Sequence, residues 1–394
     1  MPALDLLALW KRYSGNANLV MNSLKFMPAC SDNFIRLVGR LRKRENRRSR
    51  RMTKVLVVDD SRVMTKIISK ILEKDPHIEV IGTAGNGFEA IEKIRTLKPD
   101  VVTLDVEMPG MDGIETLRRI MSADPLPVIM LSSLTREHAD ITMEALSIGA
   151  SDFVAKDFSN VTLADKEREI IGKVKDVARN RAKLLLKGLF PQNRAARPLC
   201  IPPGSLAKRS ILCIGASTGG PPALQYILSH LPKDFPIPIV IAQHMPGPFT
   251  QSFAERLDKV SQLMVKEAED REVLKPGVAL IAPGDAHLAL RRNGRHVSVK
   301  VLNSDGYIYR PSVNLLMETT AAAYESGSAA VILTGMGNDG LAGLKELKSK
   351  GGYVIAQNEV TCVVYGMPKA AVNAGLADAV LPVDLIPEEI VRIL

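Results

Sequence analysis

The chain has 394 residues, 46% hydrophobic and 24% charged, which fits a folded protein of two or three domains and excludes a wholly disordered or collagen-like one. No run of 18 apolar residues occurs, so no transmembrane segment is expected. The net charge of +9 invites a nucleic-acid partner, yet residues 1–51 hold 12 of the 52 Lys and Arg and only three acids, Asp5, Asp32 and Glu45. The rest of the chain is balanced, so no nucleic acid is expected as a partner.

Cys30, Cys200, Cys213 and Cys362 show no close paired spacing, which suggests neither a zinc site nor a disulfide framework but reduced thiols in a cytoplasmic protein. Met1–Trp10 lacks the leading positive charge of a signal peptide. Residues 1–51 read as a basic extension, disordered or lying upstream of a true start at Met52. Within it Phe34, Leu37, Val38 and Leu41 form a short stripe among arginines, the pattern of a small basic amphipathic helix.

From Thr53 the pattern becomes regular. Val55–Val58 is an apolar run ending in acids, as a buried parallel strand would be. A helix is predicted over 61–74, with further strands at 79–83, 101–104, 128–131 and 153–155. Five strands alternating with helices predict a doubly wound α/β domain over 53–171. Residues 172–209 read as a basic helix with a solvated charged face, running into a linker broken by Pro191, Pro198, Pro202, Pro203 and Gly204. A second doubly wound α/β domain with a mainly parallel sheet is expected over 210–394, with strands at 211–215, 239–242, 279–281, 330–333 and 353–356.

Asp59 and Asp60 end the first strand and Asp105 the third. Ligands gather at the carboxyl ends of parallel strands, so these acids should converge. Clustered carboxylates favour a hard divalent cation such as Mg²⁺. Ser132 ends the fourth strand and Lys156 the fifth, where a hydroxyl and an ammonium could bind phosphoryl oxygens. The stretches Val57–Ser61, Leu104–Gly113, Leu131–Ser133 and Gly149–Lys156 resemble the receiver domain of bacterial response regulators, a flavodoxin-like fold. That resemblance implies that Asp105 is the phosphoacceptor. It implies that Asp59, Asp60, Asp105 and the Glu107 carbonyl hold Mg²⁺. It also implies that Ser132 and Phe153 form a switch pair, and that Lys156 binds phosphate. Asp157 stands where the family usually has proline after the lysine. A cis bond there would cost about 2.5–4 kcal/mol, so a trans bond and a differently posed lysine are expected.

Gly215-Ala216-Ser217-Thr218-Gly219-Gly220 lies between a predicted strand and a helix, matching G-x-S-x-G in the setting of a serine nucleophile. The helix N-terminus offers N–H groups to a developing oxyanion. No Lys follows the glycines in the pattern of a phosphate-binding loop. Of the six histidines, His244 follows a neighbouring strand and could reach Ser217, and Asp339, after another strand, could fix its tautomer. The chain order Ser217, His244, Asp339 disfavours an α/β-hydrolase. His287 is a second histidine for the site, for substrate contact or positioning, or a plain loop residue.

These segments, with Arg310–Val313, Ala356–Glu359 and Gly366–Pro368, resemble the catalytic domain of the chemotaxis protein-glutamate methylesterases. With the receiver, the resemblance covers about residues 53–394. It implies hydrolysis of glutamate methyl esters on chemoreceptor cytoplasmic helices, releasing methanol, often with deamidation of receptor glutamines. It implies a chemotaxis histidine kinase as phosphodonor, and no cofactor for the ester chemistry. It further implies an oxyanion contact from the Met336 N–H, with Thr218 lining the site. Asn314 stands where the family often has Asp. A receiver fused to an esterase implies that the unphosphorylated receiver covers the cleft. The same domain order would also suit a phosphorylation-gated noncatalytic adaptor, but Ser217, His244 and Asp339 together favour the enzyme.

Overall fold

The computed structural model describes residues 52–157, 162–179, 208–294, 296–304 and 306–394. Two parallel sheets organise them. The first holds β1 (Thr53–Val58), β2 (Ile78–Ala84), β3 (Val101–Asp105), β4 (Val128–Ser132) and β5 (Asp152–Ala155), in the order β2-β1-β3-β4-β5. Helices α1 (Arg62–Leu72), α2 (Gly87–Leu97), α3 (Gly113–Ala123), α4 (Arg136–Ile148) and α5 (Leu163–Arg179) complete this half. Ser61, Asn86, Asp112 and Thr135 each cap the helix that follows with a side-chain oxygen. The strands β3 and β4 are buried along their whole length, as expected where helices cover both faces.

The second sheet has seven strands in the order β14-β13-β12-β6-β7-β9-β8. They are β6 (Ile211–Ala216), β7 (Ile239–Gln243), β8 (Met264–Glu267), β9 (Val278–Ile281), β12 (Ser328–Ile332), β13 (Tyr353–Gln357) and β14 (Ala379–Leu381). Every neighbouring pair is parallel. Helices α6 (Gly220–His230), α7 (Gly247–Val260), α8 (Val313–Tyr324), α9 (Leu341–Ser349), α10 (Met367–Asn373) and α11 (Ile386–Arg392) connect them. A separate antiparallel hairpin, β10 (His287–Asn293) with β11 (His296–Leu302), packs against α8. The chain winds outward on both sides of β6, so the crevice at the carboxyl ends of β12, β6 and β7 is the topological switch point where such sheets bind ligands.

Each strand expected from the sequence is present, longer by a residue or two or shifted by that much. The hairpin, β8 and β14 were not expected. The basic stripe at 34–41 and the linker prolines lie outside the described residues.

The boundary drawn at 171/172 needs correction, because it cuts α5 in the middle. The stripe Lys166, Ile170, Val174 and Val177 is buried on one face across that point. Nor is the basic face simply solvated. Lys173 Nζ donates to the Phe153 carbonyl at 2.6 Å and lies 3.3 Å from Asp152, while Lys175 pairs with Asp75 at 2.6 Å. Burial alone would lower the Lys173 pKa, but Asp152 and Glu169 hold it raised, so the ammonium stays charged.

The two halves share apolar packing. One cluster runs from Leu104, Leu146 and Phe153 to Phe249 and Leu257. Phe153 of β5 and Phe249 of α7 have ring centroids 4.5 Å apart. Arg136 pairs with Glu255 at 2.8 Å. Ile170, Val174 and Val177 of α5 join Val363 and Val364 in a second cluster, with Met336 packed against it. No helix among the described residues is long and apolar enough to cross a membrane.

The approach of α8 to β6 leaves no room for a side chain at Gly215, where an added Cβ would lie 2.3 Å from Val313 Cγ1. Gly215→Val should cost about 1–3 kcal/mol in urea unfolding. Gly85→Ala, whose added carbon meets nothing nearer than 3.8 Å, should stay within about 0.5 kcal/mol.

Candidate active site and phosphoacceptor pocket

Strand register assembles the site in the second half. Gly215 pairs with Ala242 and Ala216 with Gln243, so the next residues, Ser217 and His244, stand side by side past the sheet edge. The His244 amide donates to the Ala216 carbonyl at 3.0 Å, and the Ser217 amide to the Thr334 carbonyl at 3.0 Å. Gly219 turns the chain at φ +76° before α6, a conformation that favours glycine. A Cβ on Gly335 would lie 2.7 Å from Ser217 Cβ, so the loop after β12 presses directly on the serine.

His244 Nε2 lies 2.9 Å from Asp339 Oδ2. A carboxylate only accepts, so Nε2 carries the proton and Nδ1 the lone pair. His244 Nδ1 is buried and has no hydrogen-bond partner among the described residues. Asp339 is itself buried at the N-terminus of α8. It accepts from Val313 N at 2.8 Å, Asn314 N at 3.1 Å and Gly340 N at 3.0 Å. Burial pushes its pKa up, but the His244 contact and the Val313 and Asn314 amides outweigh this and hold it below the usual carboxylate range. The Met336 and Thr218 amides donate to no acceptor among the described residues, and Thr218 is buried with its carbonyl held by Thr334 Oγ1 at 2.8 Å.

In the first half, carboxylate oxygens of Asp59, Asp60 and Asp105 lie within 4.8 Å of one another. Lys156 Nζ sits 2.6 Å from Asp105 Oδ1 and 2.7 Å from Asp59 Oδ2. The second contact is an ion pair without hydrogen-bond geometry, which leaves Asp59 Oδ2 buried and unsatisfied. A buried carboxylate oxygen of this kind, beside two further acids, suits a hard divalent cation. Burial raises the Asp105 pKa against the pull of Lys156. The Lys156–Asp157 bond is trans, as expected, but the lysine is not turned away: it reaches both acids. Ser132 accepts from Thr142 Oγ1 of α4 at 2.8 Å, and Phe153 faces Phe249. Glu107 lies 2.8 Å from His138 through its side chain, which leaves its carbonyl for other use.

Residues 212–390 match the family model for CheB methylesterase, and residues 55–167 match that for the response regulator receiver domain. A protein-glutamate methylesterase/protein-glutamine glutaminase 1 of Oleidesulfovibrio alaskensis is 48% identical over 357 residues, which is 84% of this chain and 97% of that protein. The chain belongs to the CheB methylesterase family. A protein-glutamate methylesterase/protein-glutamine glutaminase of Lawsonia intracellularis is 47% identical over 354 residues, covering 86% of this chain and 98% of its own. The crystal structure of the Thermotoga maritima CheB methylesterase catalytic domain is 49% identical, covers 47% of this chain and 99% of its own, and superposes with a TM-score of 0.47.

Within this CheB methylesterase, His287 is fully buried at the start of β10, not in a loop. Its Nε2 meets the Ser304 carbonyl at 3.1 Å and its Nδ1 accepts the Ser312 amide at 3.1 Å. Both nitrogens are committed to backbone, so substrate contact is corrected to positioning of the turn before α8. Asn314 Oδ1 accepts the Ala342 and Gly343 amides at 2.9 and 3.1 Å, at the start of α9.

The sequence reading missed three residues that shape the site. Gln243 donates through Nε2 to the carbonyls of Ser217 and His244 at 3.0 and 3.1 Å. Its signal was a polar residue closing an apolar strand. Thr334 ties the loops after β6 and β12. Tyr309 stacks on His244, and nothing in its sequence neighbourhood signals that.

Asn314→Asp should be near neutral in thermal unfolding, whereas Asn314→Ala loses the α9 contacts and should cost about 0.5–2 kcal/mol. Burial, with the nearby Arg310 charge, holds the His287 pKa below its ordinary value, against the Ser304 hydrogen bond and Asp339. The unfolded chain therefore binds a proton that the folded one refuses, and stability falls as pH drops below about 6.5. His287→Asn should be less stable at neutral pH but should lose less melting temperature than wild type between about pH 7.5 and pH 5.5.

Proposed function

We propose that this CheB methylesterase is a phosphorylation-regulated serine hydrolase. It cleaves γ-glutamyl methyl esters on chemoreceptor cytoplasmic helices and deamidates receptor glutamines at the same site. The observation that carries this reading is the Asp339–His244 pair: it leaves Nδ1 buried and without a hydrogen-bond partner among the described residues, on a histidine one strand over from Ser217. Ser217 is the nucleophile, His244 the base through Nδ1, and Asp339 the group that stabilises the imidazolium. Ser217 Oγ attacks the ester carbonyl as its proton passes to Nδ1. The C–O bond to the methoxy group then breaks, and the leaving oxygen takes that proton to depart as methanol. Water, deprotonated by the same nitrogen, releases the glutamate. A glutamine follows the same course and releases ammonia.

The Met336 amide and the N-terminus of α6 would hold the oxyanion, a contact worth about 10²–10³ in rate per donor. Thr218 lines the site. The reaction needs no metal in this half. An enzyme of this kind works in the cytoplasm, where the receptor helices lie.

Asp105 is the acceptor of a phosphoryl group from the phosphohistidine of a chemotaxis histidine kinase. The N–P bond breaks as the carboxylate oxygen bonds to phosphorus. Asp59, Asp60, Asp105 and the Glu107 carbonyl would hold Mg²⁺, which supplies positive charge against the transferring phosphoryl oxygens. Lys156 lies where it meets those oxygens, and Ser132 and Phe153 are the switch pair.

In the unphosphorylated state the receiver half restrains the esterase. Support comes from α5 and Phe153: the first packs on Met336, beside the oxyanion amide, and the second on Phe249. Phosphorylation shifts the population away from this docked arrangement.

Methanol release from receptor-bearing membranes tests the assignment. Ser217→Ala should lose at least about 10³-fold in kcat, and unchanged release would end the nucleophile assignment. Asp105→Asn should keep basal turnover but lose all stimulation by the phosphodonor. Cleavage between residues 190 and 205 should free an esterase fragment faster than the unphosphorylated whole chain; a fragment no faster would remove the restraint model.

A further inference from the structure

Three contacts meet at Tyr309. Its ring lies parallel to the His244 imidazole, 6° between planes and 4.7 Å between centroids. A Cβ on Gly337 would fall 3.0 Å from Tyr309 Oη, so the hydroxyl end rests against the backbone next to Met336. The flanking residues are pinned. Tyr307 packs on His287 at 5.1 Å, and Arg310 donates to the Asp285 carbonyl at 3.3 Å and the Ser304 carbonyl at 3.1 Å.

His244 needs such a partner. Asp339 grips it at Nε2, on the far side of the ring from Cβ. One in-plane hydrogen bond fixes a distance but lets the ring tilt about its own axis. Any tilt redirects the Nδ1 lone pair, which the proposed reaction aims at Ser217. The backbone-held Gln243 fixes the main chain of His244, not its ring plane. Only a face contact sets the plane, and Tyr309 supplies it.

We infer that Tyr309 is a positioning residue for the reaction: its ring holds the plane of the His244 imidazole and faces the positive charge that forms there when Ser217 gives up its proton. An aromatic face attracts a cation. The interaction therefore strengthens when the imidazolium forms, which places its effect in kcat more than in KM. Through Gly337 the same ring abuts the oxyanion loop, so base and oxyanion donor share one support. The inference rests on the reading of His244 as the base, and the test separates the two.

The test uses the full-length protein, with tritiated methyl groups on receptor in membranes as the substrate. Tyr309→Leu should lower kcat about ten-fold with KM within about two-fold. Tyr309→Phe, which keeps the face, should bring kcat back to within about three-fold of wild type. With ¹³C-labelled histidine, of which the chain has six, the His244 ring protons should show a ring-current shift that Tyr309→Phe keeps and Tyr309→Leu loses. In a His244→Ala background, Tyr309→Leu should have no further effect. Unchanged kcat in Tyr309→Leu, a loss confined to KM, or equal loss in the Leu and Phe variants would overturn the inference while a dead His244→Ala left the base assignment standing. Normal turnover by His244→Ala would instead overturn the base assignment itself.

Discussion

The buried Asp339 carboxylate is the constraint on which the esterase half turns. An ionised carboxylate away from water is costly unless hydrogen bonds replace its hydration. Here the compensation comes from the backbone: the amides of Val313, Asn314 and Gly340, with His244 as the fourth donor. Two of those amides open α8, whose positive end further favours the charge. Satisfying one anion therefore fixes where α8 starts, how closely it lies on β6 and which nitrogen of His244 is protonated. The bare Gly215 and the neutral, backbone-bonded His287 follow from that placement, because both serve the turn and helix that hold the acid.

The receiver half solves the same problem differently. Its acids are gathered at strand ends without enough backbone donors, and Lys156 supplies part of the compensation. Asp59 Oδ2 has the Lys156 ammonium beside it but no hydrogen bond among the described residues, a donor-poor carboxylate that suits a hard cation. Phe153 packs on Phe249 where β5 ends beside Lys156 and α7 begins just after His244, so one apolar contact joins the surroundings of the two sites.

The core strands were legible because they are fully buried apolar runs bounded by acids and glycines, and the site residues sit at their carboxyl ends. The missed elements lack that signal. The strand β8 is four residues of mixed character, Met264–Glu267, and β14 only three. The hairpin alternates and ends in charges at Arg291 and Arg292, so it reads as loop when the eye follows buried runs. The α5 boundary failed for a related reason. A run of charge suggests solvent, whereas Lys173 and Lys175 reach back to acids and a carbonyl of the receiver. Charge in a sequence does not say whether its partner is water or a distant carboxylate.

The two site histidines show where sequence runs out and geometry decides. His244 follows the end of one buried strand and His287 opens another, and the residue type alone permits base, ligand or structural duty. What separates them is what claims their nitrogens. At His287 a carbonyl and an amide claim one each, which locks the ring neutral and leaves no lone pair to offer. At His244 a carboxylate claims only Nε2, and no backbone group competes for Nδ1. A general base must hold a lone pair that the fold itself does not use, in a place where the resulting charge is matched. That condition depends on one acceptor, Asp339 in the loop after β12, 95 residues away in the chain and itself held by amide donors of α8, which is why spacing could nominate His244 but only the assembled fold can distinguish it from its neighbour.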